Sequence, residues 1–346
     1  MEGKVTILPF GETLGVQPDE SILAAILNQG RFVKYGCKHG GCNSCRAQLV
    51  DGDCVLSDNT SFSLSDADRA AGIVLLCSTY AANGAVVVDV SETMDDLTED
   101  EYRAGQQVQE HVAVVDRLDA LTHDIRWLGL RLEEPGEMTF AAGQYVEVAV
   151  PGSDDEWRSY SMANPPRESN RIDLIIKVIP GGRFSSALEG RIRPGEPIRL
   201  RGPFGQFGVR LSHRPMVMIA GGSGMAPILA MLRDLERPGN QRPVTFFYGA
   251  RTDRDLFLLE ELARLAERHP WFTFIPALSE PARNVGDWDG ETGLVTDVLS
   301  RHHPSTRGFE AYLCGPPPMI DAAIDVLVAG GCKDRHIYFD RFVPSG

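Results

Sequence analysis

A chain of 346 residues, 43% of them hydrophobic, is long enough to bury two or three separate cores. It contains no stretch approaching the roughly 20 apolar residues that a membrane-spanning helix needs, so no membrane partner is expected. A net charge of −14 argues against nucleic acid, whose phosphates demand a basic surface. The opening MEGKVTILPF lacks a basic segment followed by an apolar run, which points to a cytoplasmic chain, and seven cysteines, an odd number, agree with a reducing compartment.

In chain order, the first distinctive pattern is C-x4-C-x2-C-x31-C, formed by Cys37, Cys42, Cys45 and Cys77. This is the plant-type spacing for a [2Fe–2S] cluster. Three thiolates converge on one cluster only if the backbone turns tightly, and Gly36, Gly40 and Gly41 permit that turn. A structural zinc site would present two short knuckles instead of three crowded ligands and a distant fourth. A Rieske centre would need two histidines, and only His39 lies between the ligands. Cys54 and Cys332 fall outside the spacing and read as small buried residues, and no metal beyond the cluster iron is assigned.

Residues 1–103 hold 16 Asp and Glu against 7 Lys and Arg, so about −9 of the charge sits in the first third. That third ends in the acidic run 91–101, which has little apolar periodicity and reads as a linker. Beyond it, short alternating segments at 112–118, 125–132, 145–150, 172–178 and 197–201 give an antiparallel barrel pattern. Arg158-Ser-Tyr160-Ser161 is expected to follow a strand. Lys177, Gly182, Phe184 and Ser185 lie where a strand turns into a short helix. A dinucleotide pyrophosphate wants a guanidinium, here Arg158, and free amides at a helix N-terminus. A tyrosine can pack on a flavin, and a hydroxyl can reach its N5.

From about residue 215 strands alternate with helices. A strand at 216–220 leads to Gly221-Gly222-Ser223-Gly224-Met225-Ala226-Pro227 and a helix at 228–235. Strands at 244–248 and 272–276 flank a helix at 256–268. A strand at 311–314 leads to Gly315-Pro316-Pro-Pro-Met319 and a helix at 320–329, before a last strand at 336–340. This is a doubly wound parallel sheet with glycine-rich turns at strand C-termini, where nucleotides bind.

Arg158-x-Tyr-Ser161, the 221–227 turn and Cys314-Gly-Pro-Pro-Pro-Met319 together resemble the ferredoxin-NADP reductase superfamily. With the N-terminal cluster domain, the chain is similar to the single-chain reductase components of soluble di-iron monooxygenases of the propane, methane and phenol type. The resemblance implies a multidomain α+β and α/β fold: a β-grasp ferredoxin domain at 1–94, an acidic linker at 95–106, an antiparallel β-barrel FAD domain at 107–211 and a NAD(P) domain at 212–346. It further implies Ser161 near flavin N5, Cys314 against the nicotinamide, Asp340 where relatives carry glutamate, and Phe342 over the flavin ring. Tyr160, Ala226, Pro227, Gly315, Pro316 and Met319 complete the expected nucleotide contacts. Around 249–255, Arg251 and Arg254 would favour a 2′-phosphate while Asp253 and Asp255 would repel it, and the relatives imply NADH.

A nicotinamide yields two electrons together, a [2Fe–2S] cluster accepts one, and FAD handles either number. The implied route is NADH to FAD to cluster to an oxygenase hydroxylase component, with propane or a small alkane favoured as that system's substrate. Acidic surface on the cluster domain would guide transient docking. The alternatives are a phenol hydroxylase, a ring-hydroxylating dioxygenase or a deoxysugar dehydratase as the recipient system. A non-catalytic Fe–S redox sensor is a further alternative, against which the nicotinamide and flavin motifs argue.

Overall fold

The structure is a computed structural model that describes residues 3–57, 64–82, 84–94, 98–105, 108–153, 156–280 and 288–342. The chain divides into two compact units, Met1–Val108 and Gln109–Gly346.

In the first unit, strand Gly3–Leu8 alternates buried Val5 and Ile7 with outward Thr6, the period-2 pattern of a half-covered sheet. Five strands run in the order Glu12–Val16, Gly3–Leu8, Ala85–Asp89, Arg46–Asp51, Ile73–Leu75. Only the Gly3–Leu8/Ala85–Asp89 pair is parallel. Helix Ile22–Asn28 starts at Ser21, whose hydroxyl accepts from the Ala24 amide, and buries Ile22, Leu23, Ala25 and Ile26. It packs against the turn Leu76–Ser78, so the sheet and its helix hold the last cluster cysteine in place. This is the expected β-grasp arrangement.

The acidic run is partly folded. Helix Glu99–Ala104 begins with a capping box between Thr98 and Glu101, and its Tyr102 is fully buried, stacked on Phe10 with ring centroids 3.9 Å apart. The Tyr102 carbonyl accepts from the Phe32 amide at 2.9 Å. Residues 95–97 and 106–107 of the expected linker lie outside the described residues.

The second unit opens with a six-stranded antiparallel sheet in the order Trp157–Ser161, Tyr145–Ala149, Pro197–Phe204, Gln109–Ala120, Ile125–Glu134, Arg171–Lys177. An antiparallel bridge between Met162 and Leu174 joins the two ends and closes the barrel. Arg158–Ser161 therefore lies within a strand rather than after one. It pairs with Tyr145–Ala149, so Arg158 and Tyr160 share one face and Ser161 takes the other.

Six parallel strands follow in the order Glu291–Thr292, Phe272–Leu278, Val244–Ala250, Met216–Gly221, Glu310–Gly315, Ile337–Arg341. The helix expected from 256 begins only at Leu259, because Leu258 adopts a left-handed φ of 58° that a helix cannot continue through. Helix Val295–His302 and strand Glu291–Thr292 were not expected. Ile125, Trp127, Ala163 and Ile175 of the barrel share one apolar core with Met218, Ala220, Met225, Leu229 and Cys314 of the parallel sheet, which seats the two halves of this unit on each other.

Candidate functional site

Cys37, Cys42, Cys45 and Cys77 are all buried and free of disulfides. They meet as two thiol pairs, Cys37 with Cys42 and Cys45 with Cys77. Among the described residues no three His, Cys, Asp or Glu side chains gather as a single ion would require. Two cysteine pairs are what a two-iron cluster needs. Backbone amides already point at the sulfurs: Cys37 N–H to Cys42 Sγ at 3.2 Å, Gly40 N–H to Cys77 Sγ at 3.1 Å and Gly41 N–H to Cys37 Sγ at 3.1 Å. Gly40 takes a φ of 82°, and a Cβ on Gly36 would lie 2.6 Å from Cys42 Sγ, so glycine lets the backbone close over the site. The Cys37 thiol and burial push the Cys42 thiol well up, and Cys77 with burial does the same to Cys45, so loading a cluster here must release protons. The residues fit a [2Fe–2S] cluster. His39 turns its Nδ1 to the Cys37 carbonyl at 2.7 Å, a contact that braces the loop.

On the barrel, Tyr160 meets Phe184 with ring centroids 5.1 Å apart, which brings the strand bearing Arg158 to the first turn of helix Arg183–Gly190. Among the described residues no side chain caps that helix at Gly182, an N-terminus of the kind that can hold an anion. A Cβ on Gly182 would sit 3.0 Å from the Ile179 carbonyl oxygen. Ser185 is buried and its Oγ accepts from the Ile179 amide at 2.8 Å, so it shapes the turn while its own proton stays available to donate. Phe184, expected as a contact, points into the barrel core. Lys177 pairs with Asp124 at 3.4 Å. Ser161 is buried and lies opposite Tyr145, which stacks on Phe204 at 5.4 Å. Tyr145 falls in the alternating segment at 145–150, where the pattern marks it only as core.

In the parallel sheet the strand order reverses between Met216–Gly221 and Glu310–Gly315, the topological switch point at which such sheets bind nucleotides. Both glycine-rich turns lie there. A Cβ on Gly224 would fall 2.3 Å from the Cys314 carbonyl oxygen, and one on Gly221 would meet Met319 Sδ at 2.9 Å. Gly222 has a φ of 57° and Gly315 a φ of 148°. Helix Met225–Leu235, with Ala226 and Pro227 buried in its first turn, carries no side-chain cap at Gly224 among the described residues, and its N-terminus opens at this switch point, where it could hold a pyrophosphate. Pro316 is exposed beside the Gly221 turn.

Cys314 is fully buried and lies between Ala220 and Asp340 on neighbouring strands. Burial, and then the Asp340 charge, push its thiol well up, so it stays protonated at neutral pH. Phe342 donates its amide to the Gly315 carbonyl at 2.9 Å and packs half-buried against the shared core. Residues 343–346 lie outside the described residues. The Gly222–Gly224 turn packs on barrel strand Arg171–Lys177, so this glycine turn meets the barrel. Arg251 is exposed and reaches Asp255 at 3.5 Å. Burial acts to raise the Asp255 carboxyl, but hydrogen bonds from Thr252 and the Arg251 charge outweigh it and hold it ionised.

Residues 5–82 match the 2Fe-2S iron-sulfur cluster binding domain, 112–208 the oxidoreductase FAD-binding domain, and 218–325 the oxidoreductase NAD-binding domain. The reductase component of propane 2-monooxygenase from Mycolicibacterium goodii is 39% identical over 98% of this chain and 97% of its own. The reductase component DmpP of phenol 2-monooxygenase from Pseudomonas sp. strain CF600 is 37% identical over 100% and 96%. Among solved structures, the Amycolatopsis cytochrome P450 reductase GcoB is 30% identical with a TM-score of 0.77, covering 99% of both chains. The chain belongs to the family of oxidoreductases that unite 2Fe-2S, FAD-binding and NAD-binding domains and serve oxygenases as their reductase components.

Proposed function

We propose that this chain is the reductase component of a soluble di-iron monooxygenase acting on propane or another small alkane, taking hydride from NADH and delivering single electrons to the hydroxylase. The observation that carries the reading is the 39% identity to propane 2-monooxygenase reductases across nearly the whole chain. When bound, FAD supplies the conversion between two-electron hydride and the one-electron cluster. Arg158 and the helix end at Gly182 would hold the FAD pyrophosphate, Tyr160 would pack on the flavin, and Ser161 would offer it a hydroxyl. The turns at 221–224 and 315–319 would hold NADH, with Cys314 as a neutral thiol and Asp340 facing the nicotinamide, and Phe342 would cover the flavin. Cys37, Cys42, Cys45 and Cys77 bind the cluster.

The Arg251–Asp255 pair supports NADH over NADPH, because the carboxylate both occupies the guanidinium and repels a 2′-phosphate. Docking to the hydroxylase is transient and guided by the acidic charge of the first third, and the chain works in the cytoplasm. A phenol hydroxylase is the second reading, supported by 37% identity over the full chain. Reconstitution separates the two. NADH-driven oxidation of propane with purified propane monooxygenase components, faster than phenol oxidation with phenol hydroxylase components, is the expected result. The reverse ranking would move the assignment to the phenol system.

A further inference from the structure

Two arginines clasp the flavin barrel to the nicotinamide helix reciprocally. Arg233 lies near the end of helix Met225–Leu235, which begins directly after the 221–224 turn, and its Nη1 donates to the Ala163 carbonyl at 3.3 Å. Ala163 is two residues beyond Ser161. In return Arg167, on the loop that follows, donates from Nη1 to the Arg233 carbonyl at 2.7 Å. Each segment thus offers one guanidinium to the other's backbone.

Both ends of the clasp are themselves held. Nε and Nη2 of Arg233 bond Glu261 Oε1 at 3.0 and 2.5 Å, which aims the guanidinium from within the nicotinamide half. On the barrel side the guanidinium lies 5.5 Å from the centre of the buried Trp127 ring, and Arg117 lies 5.2 Å from the same ring. Trp127 Nε1 donates to Asp173 Oδ1 at 3.2 Å. The Ala163 amide donates to the Asp173 carbonyl at 2.7 Å, and Asn164 Oδ1 accepts from the Asp173 amide at 2.8 Å. Asp173, Asn164 and Trp127 are all at most 3% exposed. The carbonyl that Arg233 grips is therefore fixed by a buried polar network, and the contact transmits position rather than yielding to it.

We propose that Arg233 is a positioning residue for hydride transfer: with Arg167 it sets the separation between the nicotinamide turn and the strand end that carries Ser161. The inference rests on the proposed hydride route. Hydride transfer depends steeply on donor–acceptor distance, and a displacement near 1 Å can cost on the order of 100-fold in rate. Three features suit Arg233 to this role better than to simple cohesion. It bridges the two halves at a point two residues from Ser161, its partner is a main-chain atom that no side-chain rotation can move, and the fully apolar contacts nearby already supply adhesion.

The test uses FAD- and cluster-loaded protein, with Arg233→Met, Arg233→Lys and, because its side chain is exposed and its loss leaves the core intact, Arg167→Ala. Flavin reduction is followed by rapid mixing with NADH and with NADH dideuterated at C4. Amide hydrogen exchange is followed over 162–164 and 225–235 without coenzyme. Arg233→Met should slow flavin reduction at least 10-fold and change the deuterium isotope effect, with KM for NADH within about twofold of the parent. Exchange at 162–164 should quicken while strand 171–177 stays protected. Arg233→Lys should recover part of the rate, and Arg167→Ala should move rate and isotope effect in the same direction by less. Unchanged rate and isotope effect in both Arg233→Met and Arg167→Ala would overturn the proposal, even if melting temperature fell. Failure of the parent protein itself to reduce flavin with NADH would instead overturn the hydride route.

Discussion

The four cluster cysteines and Cys314 are chemically alike and differ in what surrounds them. The cluster thiols receive three backbone N–H groups, whereas Cys314 sits alone between strands with a carboxylate beside it. The expected consequence is separable loss. Cys42→Ser should abolish iron and labile sulfide while retaining FAD and NADH-driven reduction of a direct flavin acceptor, as measured by metal analysis and ferricyanide assay. Loss of FAD together with the cluster would contradict it.

The loop is also tied electrostatically next to Cys45. Arg46 bonds Asp68 at 2.6 Å and, with Ser65, holds that carboxyl at about 2, below the usual 3.8. A lowered carboxyl pKa contributes stability in full above the unfolded value near 4 and loses it as pH falls through about 2. Because the pair is partly solvated, its worth is roughly 1 kcal/mol. Asp68→Asn should lower urea stability of the first unit by that amount at pH 7 and pH 5 alike, with the gap closing only toward pH 2.

At the scale of elements, the glycine turns are where sequence was most legible. A residue that cannot carry a Cβ announces itself in the sequence, and Gly221, Gly224 and Gly315 each face a backbone or side chain within 3.1 Å of the Cβ they lack. Gly224→Val should therefore cut kcat/KM for NADH by 10-fold or more while FAD remains bound, since the Cβ would displace the Cys314 carbonyl at the switch point. The acidic segment was less legible. Its charges suggest a solvated linker, yet one buried Tyr102 and one capping box are enough to fold Glu99–Ala104. Glu101 is committed to that cap, which leaves Glu99 and Asp100 as the exposed acids to test. Neutralising both, or raising salt well above 0.1 M where screening acts over about 10 Å, should slow delivery to the oxygenase more than dye reduction. Equal effects on both rates would mean that docking does not use this charge.

For the whole molecule, the three-part organisation was readable because each part has its own period: cysteine spacing, strand alternation, then strands alternating with helices. What sequence did not reveal was how the last two parts meet. Trp127, Ala163, Arg167 and Arg233 carry no motif, and their roles arise only when the barrel and the parallel sheet share a core. The Arg158–Ser161 strand was missed for a related reason: its Trp-Arg-Ser-Tyr-Ser run is mostly polar, and the pairing with Tyr145–Ala149 that makes it a strand is long-range. Asp255, a determinant of coenzyme choice, also stands at this junction: it serves its local cap, pairs with Arg251 and lies 3.9 Å from His123 of the barrel. A kcat/KM for NADH at least 10-fold above that for NADPH is expected, and a preference for NADPH would contradict the reading.

Electrons pass in a relay from NADH through the flavin and leave by the cluster. Anaerobic rapid mixing of the loaded protein with NADH, followed by flavin absorbance and by freeze-quench paramagnetic resonance of the cluster, tests it directly. Flavin bleaching should precede appearance of the reduced-cluster signal, and Cys42→Ser should bleach at the parent rate yet deliver no electrons to the oxygenase. Cluster reduction at undiminished rate in FAD-free protein, or oxygenase turnover supported by Cys42→Ser, would contradict it.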